Sequence, residues 1–409
     1  MSTEPETDEH PPGLVECRAC QTEVPEGEYC GRCGMPLQGH DANRCDWLRL
    51  KAYSASPGER LLRPNIVSSL FPHLPPSSRM AFRMGLGVLL AALFLATSFR
   101  LPAALITVAA LGLPLLFLIY LHESDVYADL PSGTLLATAG LGIGLGVGWV
   151  LLTGAWVAQA YDVPLGVGIA GTRILRNGLG LPLGSLLLML VPMVLVRLVR
   201  PGQRESLDGF AIGTLGALMF TAASQLTRMA PEFSDPVIAR ARPMSGLIVE
   251  AGIRGIAVPL TAAAVGGLIG IALWFTPPEH QKDKHRNHVR IARAVAILGV
   301  IAIFATPGLL DVGRSPEMLQ LATYLATAAV AVLALRVGLH LALLYERHDE
   351  LHSDQPLLCP YCARVVPDMA FCAACGAATR ASSRSSRRAR RDNRPVRTDG
   401  DPELDSDRL

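Results

Sequence analysis

The chain has 409 residues, half of them hydrophobic and only 18% charged, with a formal net charge of +2 and a mean hydropathy of +0.33. Soluble domains carry roughly 25% charged residues. Here the apolar residues concentrate between about Met80 and Tyr345, in runs close to the ~20 residues that cross a bilayer. That excludes an ordinary soluble globule and a disordered chain, and implies a multi-pass membrane protein. The basic residues are 34 Arg against 3 Lys, the skew of a GC-rich bacterial genome.

The first arm, residues 1–78, is polar and Pro-rich. It has no basic-then-apolar start, so no cleavable signal peptide is expected and insertion falls to the internal spans. After a disordered stretch (1–14), Cys17-x2-Cys20-x9-Cys30-x2-Cys33 lies within 15–38, and the same spacing returns as Cys359-x2-Cys362-x9-Cys372-x2-Cys375 within 358–378. Each set offers four thiolates from two CxxC knuckles, the number and type for a closed tetrahedral Zn²⁺ site. Gly31, Gly34 and Gly376 stand where such knuckles need a permissive backbone. Disulfides would require an oxidising face, and four thiolates could also hold iron. Redox CxxC chemistry lacks the βαβ setting it needs. The repeat of one spacing at both ends favours two structural Zn²⁺ sites.

These segments resemble the short zinc-ribbon modules found at the ends of many bacterial membrane proteins. The resemblance rests on an aromatic before the third ligand (Tyr29, Phe371) and a glycine after the fourth (Gly34, Gly376). It implies small β-type ribbons that fold on metal and contact a protein partner. Cys45, in the linker 39–78, reads as an incidental thiol.

The membrane body, 79–346, reads as an all-α bundle of about eight spans. They run near Met84–Phe99, Leu101–Leu121, Thr134–Val157, Leu179–Val199, Phe210–Leu226, Gly255–Phe275, Ile291–Leu310 and Met318–Leu335, and the Arg100-Leu101-Pro102 break makes a tight hairpin of the first two. Val163–Thr172 is apolar but too short to span. Basic flanks place both termini on the cytoplasmic side. One loop dissents, because His122–Ser132 should lie inside yet carries three acids and neither Lys nor Arg. In the third span Gly140-x3-Gly144-x3-Gly148 forms one small-residue face and Gly142-x3-Gly146 another, and close helix packing is expected of this glycine run.

Arg200-Pro-Gly-Gln-Arg204-Glu-Ser-Leu-Asp208-Gly209, followed by a glycine-rich span with Gly213, Gly216, Phe220 and Ser224, resembles the middle of the PrsW-type intramembrane protease family. Tyr120–Pro131 and Arg254–Gly270 fit its flanking pieces, so the resemblance covers about 115–275. Catalysis in that family is assigned to Glu-Glu-x-x-Lys, Phe-x-x-x-Glu and a later His. This chain instead has Pro182–Leu188 with no Glu-Glu pair, Phe220-Thr-Ala-Ala-Ser224, and Pro259-Leu-Thr261 without His. The resemblance therefore implies a pseudoprotease with no catalytic residues. The residues agree: between Glu123 and Glu279 there is neither His nor Cys, and Glu250 is the one acid near a helix interior, too little for a catalytic metal or paired acid–base work.

Glu250 with Arg254 and Arg336 with His340 are both i,i+4. Interfacial pairing is expected of the first pair and snorkelling of the second. After a second linker (347–357) and the second module, the tail 379–409 is Arg-rich and then acidic. It is expected to be disordered, its basic half either contacting anionic lipid or standing as a solvated topology anchor, with nucleic acid the disfavoured rival. The sequence thus reads as a non-catalytic inner-membrane scaffold or regulator. Its rivals are an active intramembrane protease and a transporter or lipid carrier, the last requiring a polar cavity between the spans.

Overall fold

The computed structural model describes residues 13–38, 59, 61, 66–72, 74, 76–161, 178–199, 205–234, 243–276, 286–312, 316–346 and 356–393. Each terminal module opens with a two-stranded antiparallel hairpin. β1 (Leu14–Glu16) pairs with β2 (Glu23–Pro25), and β3 (Pro356–Leu358) with β4 (Val365–Pro367). The registers match, with Val15 opposite Val24 and Leu357 opposite Val366. Proline ends both second strands because it cannot donate to the ladder.

Between the modules lie α1 (Ile66–Leu70), α2 (Pro76–Ser98), α3 (Pro102–Glu123), α4 (Val126–Asp129), α5 (Ser132–Tyr161), α6 (Gly178–Val199), α7 (Ser206–Ser234), α8 (Met244–Trp274), α9 (Arg286–Val312) and α10 (Glu317–Tyr345). Seven of them, α2, α3, α5, α6, α7, α8 and α10, are long and apolar enough to cross a membrane. The span expected at Ile291–Leu310 falls in α9, whose apolar stretch among the described residues, Ile297–Leu309, is shorter than those seven. The hairpin at Arg100 is as expected. Arg100 takes a left-handed φ of 51°, Leu101 N–H reaches back to Ala96 O at 2.8 Å, and Pro102 starts α3. This is a Schellman-type stop followed by a proline start. Val163–Thr172 and Cys45 lie outside the described residues.

The centre of the bundle is α7, the most enclosed of the spans. It crosses α8 through glycine. A Cβ on Gly270 would stand 2.0 Å from Gly209 O, and one on Gly213 would stand 2.2 Å from Gly266 O. The two backbones touch, which is how small residues hold helices together in lipid. The close packing expected of α5 occurs on one of its two glycine faces. A Cβ on Gly140, Gly144 or Gly148 would meet open space, whereas one on Gly142 or Gly146 would stand 2.8 or 2.5 Å from Gly216 O or Phe220 O of α7. Spacing alone gave two candidate faces, and only the neighbouring helix selects between them.

Residues 66–72 and 74, expected as linker, pack into the bundle. Phe71 is buried among Phe82, Tyr120 and Phe117, with ring centroids 5.1, 5.2 and 6.4 Å away. Arg336 and His340 do not snorkel: both are fully buried. Arg336 donates to Ser68 and Ser69 hydroxyls at 3.0 and 3.3 Å and pairs with Glu59 at 3.4 Å. A buried guanidinium needs such partners, and it ties the pre-bundle segment to α10. The tail also departs from the expected disorder. Residues Arg384–Asp392 form α11, with Ser383 at its N-cap accepting from Ser386 N–H.

Candidate metal centres and the junction they build

In the first module the Cys17–Cys33 and Cys20–Cys30 sulfurs are 3.7 Å apart, and in the second Cys359–Cys375 and Cys362–Cys372 are 3.8 Å apart. Within each set all four Sγ atoms lie within 4.8 Å of one another. A tetrahedron with metal–sulfur bonds of about 2.3 Å has edges of about 3.8 Å, so both sets fit one ion held by four thiolates. A disulfide, at about 2.05 Å, does not fit these separations. Among the described residues these two sets are the groups able to hold a metal ion. Hydrogen bonds within each set favour one thiolate. They pull Cys20 below the ordinary thiol range and Cys359 to about 2, while Cys30 and Cys372 are pushed up to about 12.

The modules repeat in backbone detail. Cys17 N–H bonds to Thr22 O and Cys30 N–H to Met35 O, and 342 residues later Cys359 N–H bonds to Arg364 O and Cys372 N–H to Ala377 O. Gln21 and Ala363, each following a second cysteine, share left-handed φ values of 55° and 53°, and Gly34 and Gly376 share 68° and 71°. The knuckle turn demands that conformation wherever it occurs.

The two modules also join. Tyr29 N–H donates to Ala373 O at 2.9 Å, and Phe371 N–H donates to Gly31 O at 2.8 Å. Tyr29 and Phe371 hold equivalent positions, as do Gly31 and Ala373, so the contact is a reciprocal, two-fold-like pair. Met369 of the second module fills the buried cluster of the first, beside Cys30 and Met35. A Cβ at Gly31 would stand 2.3 Å from Met369 Sδ, so a side chain there would have to displace the Met369 thioether.

The joined modules rest on one end of the bundle. Phe371, Ala378 and Ala381 bury against Leu61 and Leu343. Arg79 donates to Tyr361 Oη at 2.6 Å, and its guanidinium lies 4.8 Å from that ring's centroid. α11 then reaches the loops at the same end. Arg384 N–H and Ser385 N–H bond to the Asp129 carboxylate at 2.5 and 3.0 Å, an acid at a helix N-terminus. Arg384 pairs with Asp208 at 2.8 Å, Arg387 with Glu205 at 3.1 Å, and Arg391 with Asp368. Nearby, Glu346 accepts from Ser206 N–H and Oγ–H, both at 2.8 Å, and burial pushes its carboxyl up to about 7.

The other polar residues singled out from sequence separate into two places. Asp208 belongs to this junction, far from Ser224 and Glu250 along their helices. Glu250 makes its ion pair with Arg254 at 3.3 Å, but it does so on the wall of a cavity of about 780 Å³ that Ser224 also lines. The cavity lies at the end of the bundle away from the modules, where α7 ends and α8 and α10 begin. The spacing reading expected few polar groups between the spans. Ser224 and Gln225 read from sequence as able to hydrogen-bond across helices, and Gln225 does so, donating to Arg254 O at 3.1 Å; Arg228 and Glu317 were missed because by charge they read as belonging to the flanking loops. Their lining role arises only from several helices converging.

No family model matches the chain, and no curated protein or solved structure matches it either.

Proposed function

We propose that this chain is a non-catalytic scaffold or regulator of a bacterial cytoplasmic membrane, with two structural Zn²⁺ sites whose modules act as one metal-dependent unit on the cytoplasmic side. The observation that carries this reading is the reciprocal Tyr29–Ala373 and Phe371–Gly31 hydrogen bonding, with the joined pair seated on the bundle. A closed four-thiolate site holds structure and leaves no open position for hydrolysis. So short a module cannot bury a core, and metal binding supplies its folding energy. Loss of metal from one module therefore removes the surface on which the other rests, and with it the support for α11.

Zinc is favoured over iron because a closed tetrathiolate in a reducing compartment suits it without redox chemistry. The cytoplasmic placement is supported by Arg79, Arg83, Arg197 and α11 gathered at the module end. On this reading the PrsW-like stretch 115–275 serves as a helical frame, a pseudoprotease body. A cytoplasmic or membrane protein partner would bind the exposed rim of the joined modules, and anionic lipid would meet those tail arginines not engaged by acids.

Metal analysis of the purified full chain should give about two Zn per chain by the four-thiolate rule. Cys372→Ser should lose one and also expose the first module to protease. First-module protection unchanged in Cys372→Ser would overturn the joint unit. Crosslinking from native membranes, with and without each module, tests the partner: equal recovery from all forms opposes it. Substrate cleavage that Asp208→Asn, Ser224→Ala or Glu250→Gln abolishes would favour the protease instead.

A further inference from the structure

The cavity at the end away from the modules has a graded wall. At its mouth stand Arg228, Arg254, Glu250 and Glu317, and deeper lie Phe220 and Met189. Arg228 is eight residues from Phe220 along α7, so the passage from charge to aromatic covers roughly 12 Å of helix rise. Charged groups within a span are costly and mark function by default.

Two further observations define what the wall offers. Ser224, Thr261 and Thr327 turn their hydroxyls back to Thr221 O, Ala257 O and Tyr324 O on their own helices, at 2.8–2.9 Å. Their donors are used, so these three hydroxyls offer the deep wall acceptors and no free donor. Arg254 stands in a π-helical turn, Ala251–Ala257, and Gln225 Nε2–H donates to its carbonyl at 3.1 Å across the helix gap. π-turns inside helices are frequently functional devices, and this one is braced by a dedicated side chain from α7. Arg254 meets Glu250 through Nε at 3.3 Å, and its guanidinium carries further donors on its terminal nitrogens. Among the described residues, Arg228 has no carboxylate at ion-pairing distance.

We propose that this cavity binds a phosphate-bearing amphiphile, its anionic head on Arg228 and Arg254 and its chain along Phe220 and Met189. The volume lies within the range of small-molecule sites, and planar guanidinium pairs are the groups suited to a phosphate oxyanion. A soluble phosphate would share the head contact but gain nothing from the deep wall.

The test is calorimetric titration of the full-length, metal-loaded protein in neutral-detergent micelles. The probe is dodecyl phosphate, with inorganic phosphate and dodecanol as separate arms. The expected result is saturable binding of dodecyl phosphate alone, weakened about tenfold or more in Arg228→Gln, the scale of a lost charge-assisted hydrogen bond. Equal binding of inorganic phosphate would reduce the site to an anion site and overturn the amphiphile. Unchanged affinity in Arg228→Gln would overturn the head assignment. Should that variant misfold, the intact protein still decides. Trp149 lines the cavity, so a terminally brominated alkyl phosphate should quench tryptophan fluorescence, and Trp149→Phe should abolish most of that quenching. Quenching that survives in Trp149→Phe places the ligand elsewhere and refutes the proposal.

Discussion

Replacing Glu346 by Gln should stabilise the protein at alkaline pH, and the sign follows from the junction's geometry. Burial is the main cause that holds the Glu346 carboxyl near 7 against an ordinary 4.5. The Ser206 hydrogen bonds pull the other way, and Glu205 and Asp208 add to the upward push. The folded state therefore binds a proton that the unfolded chain releases above pH 4.5. Stability is fully present below that value and is lost as pH rises toward 7. At about 1.4 kcal/mol per unit the full shift corresponds to about 3 kcal/mol, and relaxation around a partly buried group reduces it to about 2. Gln is neutral at every pH and keeps an oxygen to accept from Ser206. Thermal unfolding of detergent-purified protein should thus give Glu346→Gln a midpoint a few degrees above the parent at pH 8, the two converging below about pH 4.5. Thiolate ligation also depends on pH, but that dependence is common to both proteins and cancels in the difference. A variant with the parent's pH slope, or one less stable than the parent at pH 8, would refute the reasoning.

Gly270→Val drives a side chain into Gly209 O, 2.0 Å from the Cβ position, and should cost about 3 kcal/mol or more. Gly144→Val, which meets open space, should leave the thermal midpoint nearly unchanged. Asp129→Ala removes the acceptor for Arg384 and Ser385 N–H. The loss of about 1 kcal/mol expected of a helix N-terminal acceptor should appear as faster tryptic cleavage within α11. Ala363→Gly relieves a left-handed φ of 53° and should stabilise the second module by about 1 kcal/mol, read as a higher chelator concentration needed to strip it.

Sequence periodicity located the spans because hydrocarbon thickness sets their length and leaves that length in the composition. It also located both four-cysteine sets, because ligand spacing is local. What it could not reach was anything requiring two distant elements to meet. Arg336 and His340 looked like snorkelling groups because nothing near them in sequence could satisfy them, while the Arg336 guanidinium is met by Ser68 and Ser69, some 268 residues away. The Gly140 and Gly142 faces of α5 are indistinguishable until α7 lies against one of them. The arginine run at 384–391 has the composition of a disordered tail, and its helix exists where acids of the bundle and Asp368 receive it. The reciprocal contact of the modules is a further instance, since each half of it is an ordinary backbone amide.

The acidic loop between α3 and α5 shows how a departure from a local rule can be resolved in three dimensions. By flanking charge it belongs on the side opposite the modules, because it carries Glu123, Asp125 and Asp129 and no Lys or Arg. The fold places it beside the modules, where Asp129 receives the start of α11 and Ser385 Oγ–H bonds to Asp125 O. The loop's missing positive charge is thus supplied by a segment more than 250 residues further along the chain. Orientation rules count charges near each span because insertion reads the chain locally. A loop whose counter-charge arrives only after the last span is made will break the count without breaking the topology. The same acids that confuse the reading are the ones that order the tail, so the exception and the helix α11 have a single physical cause.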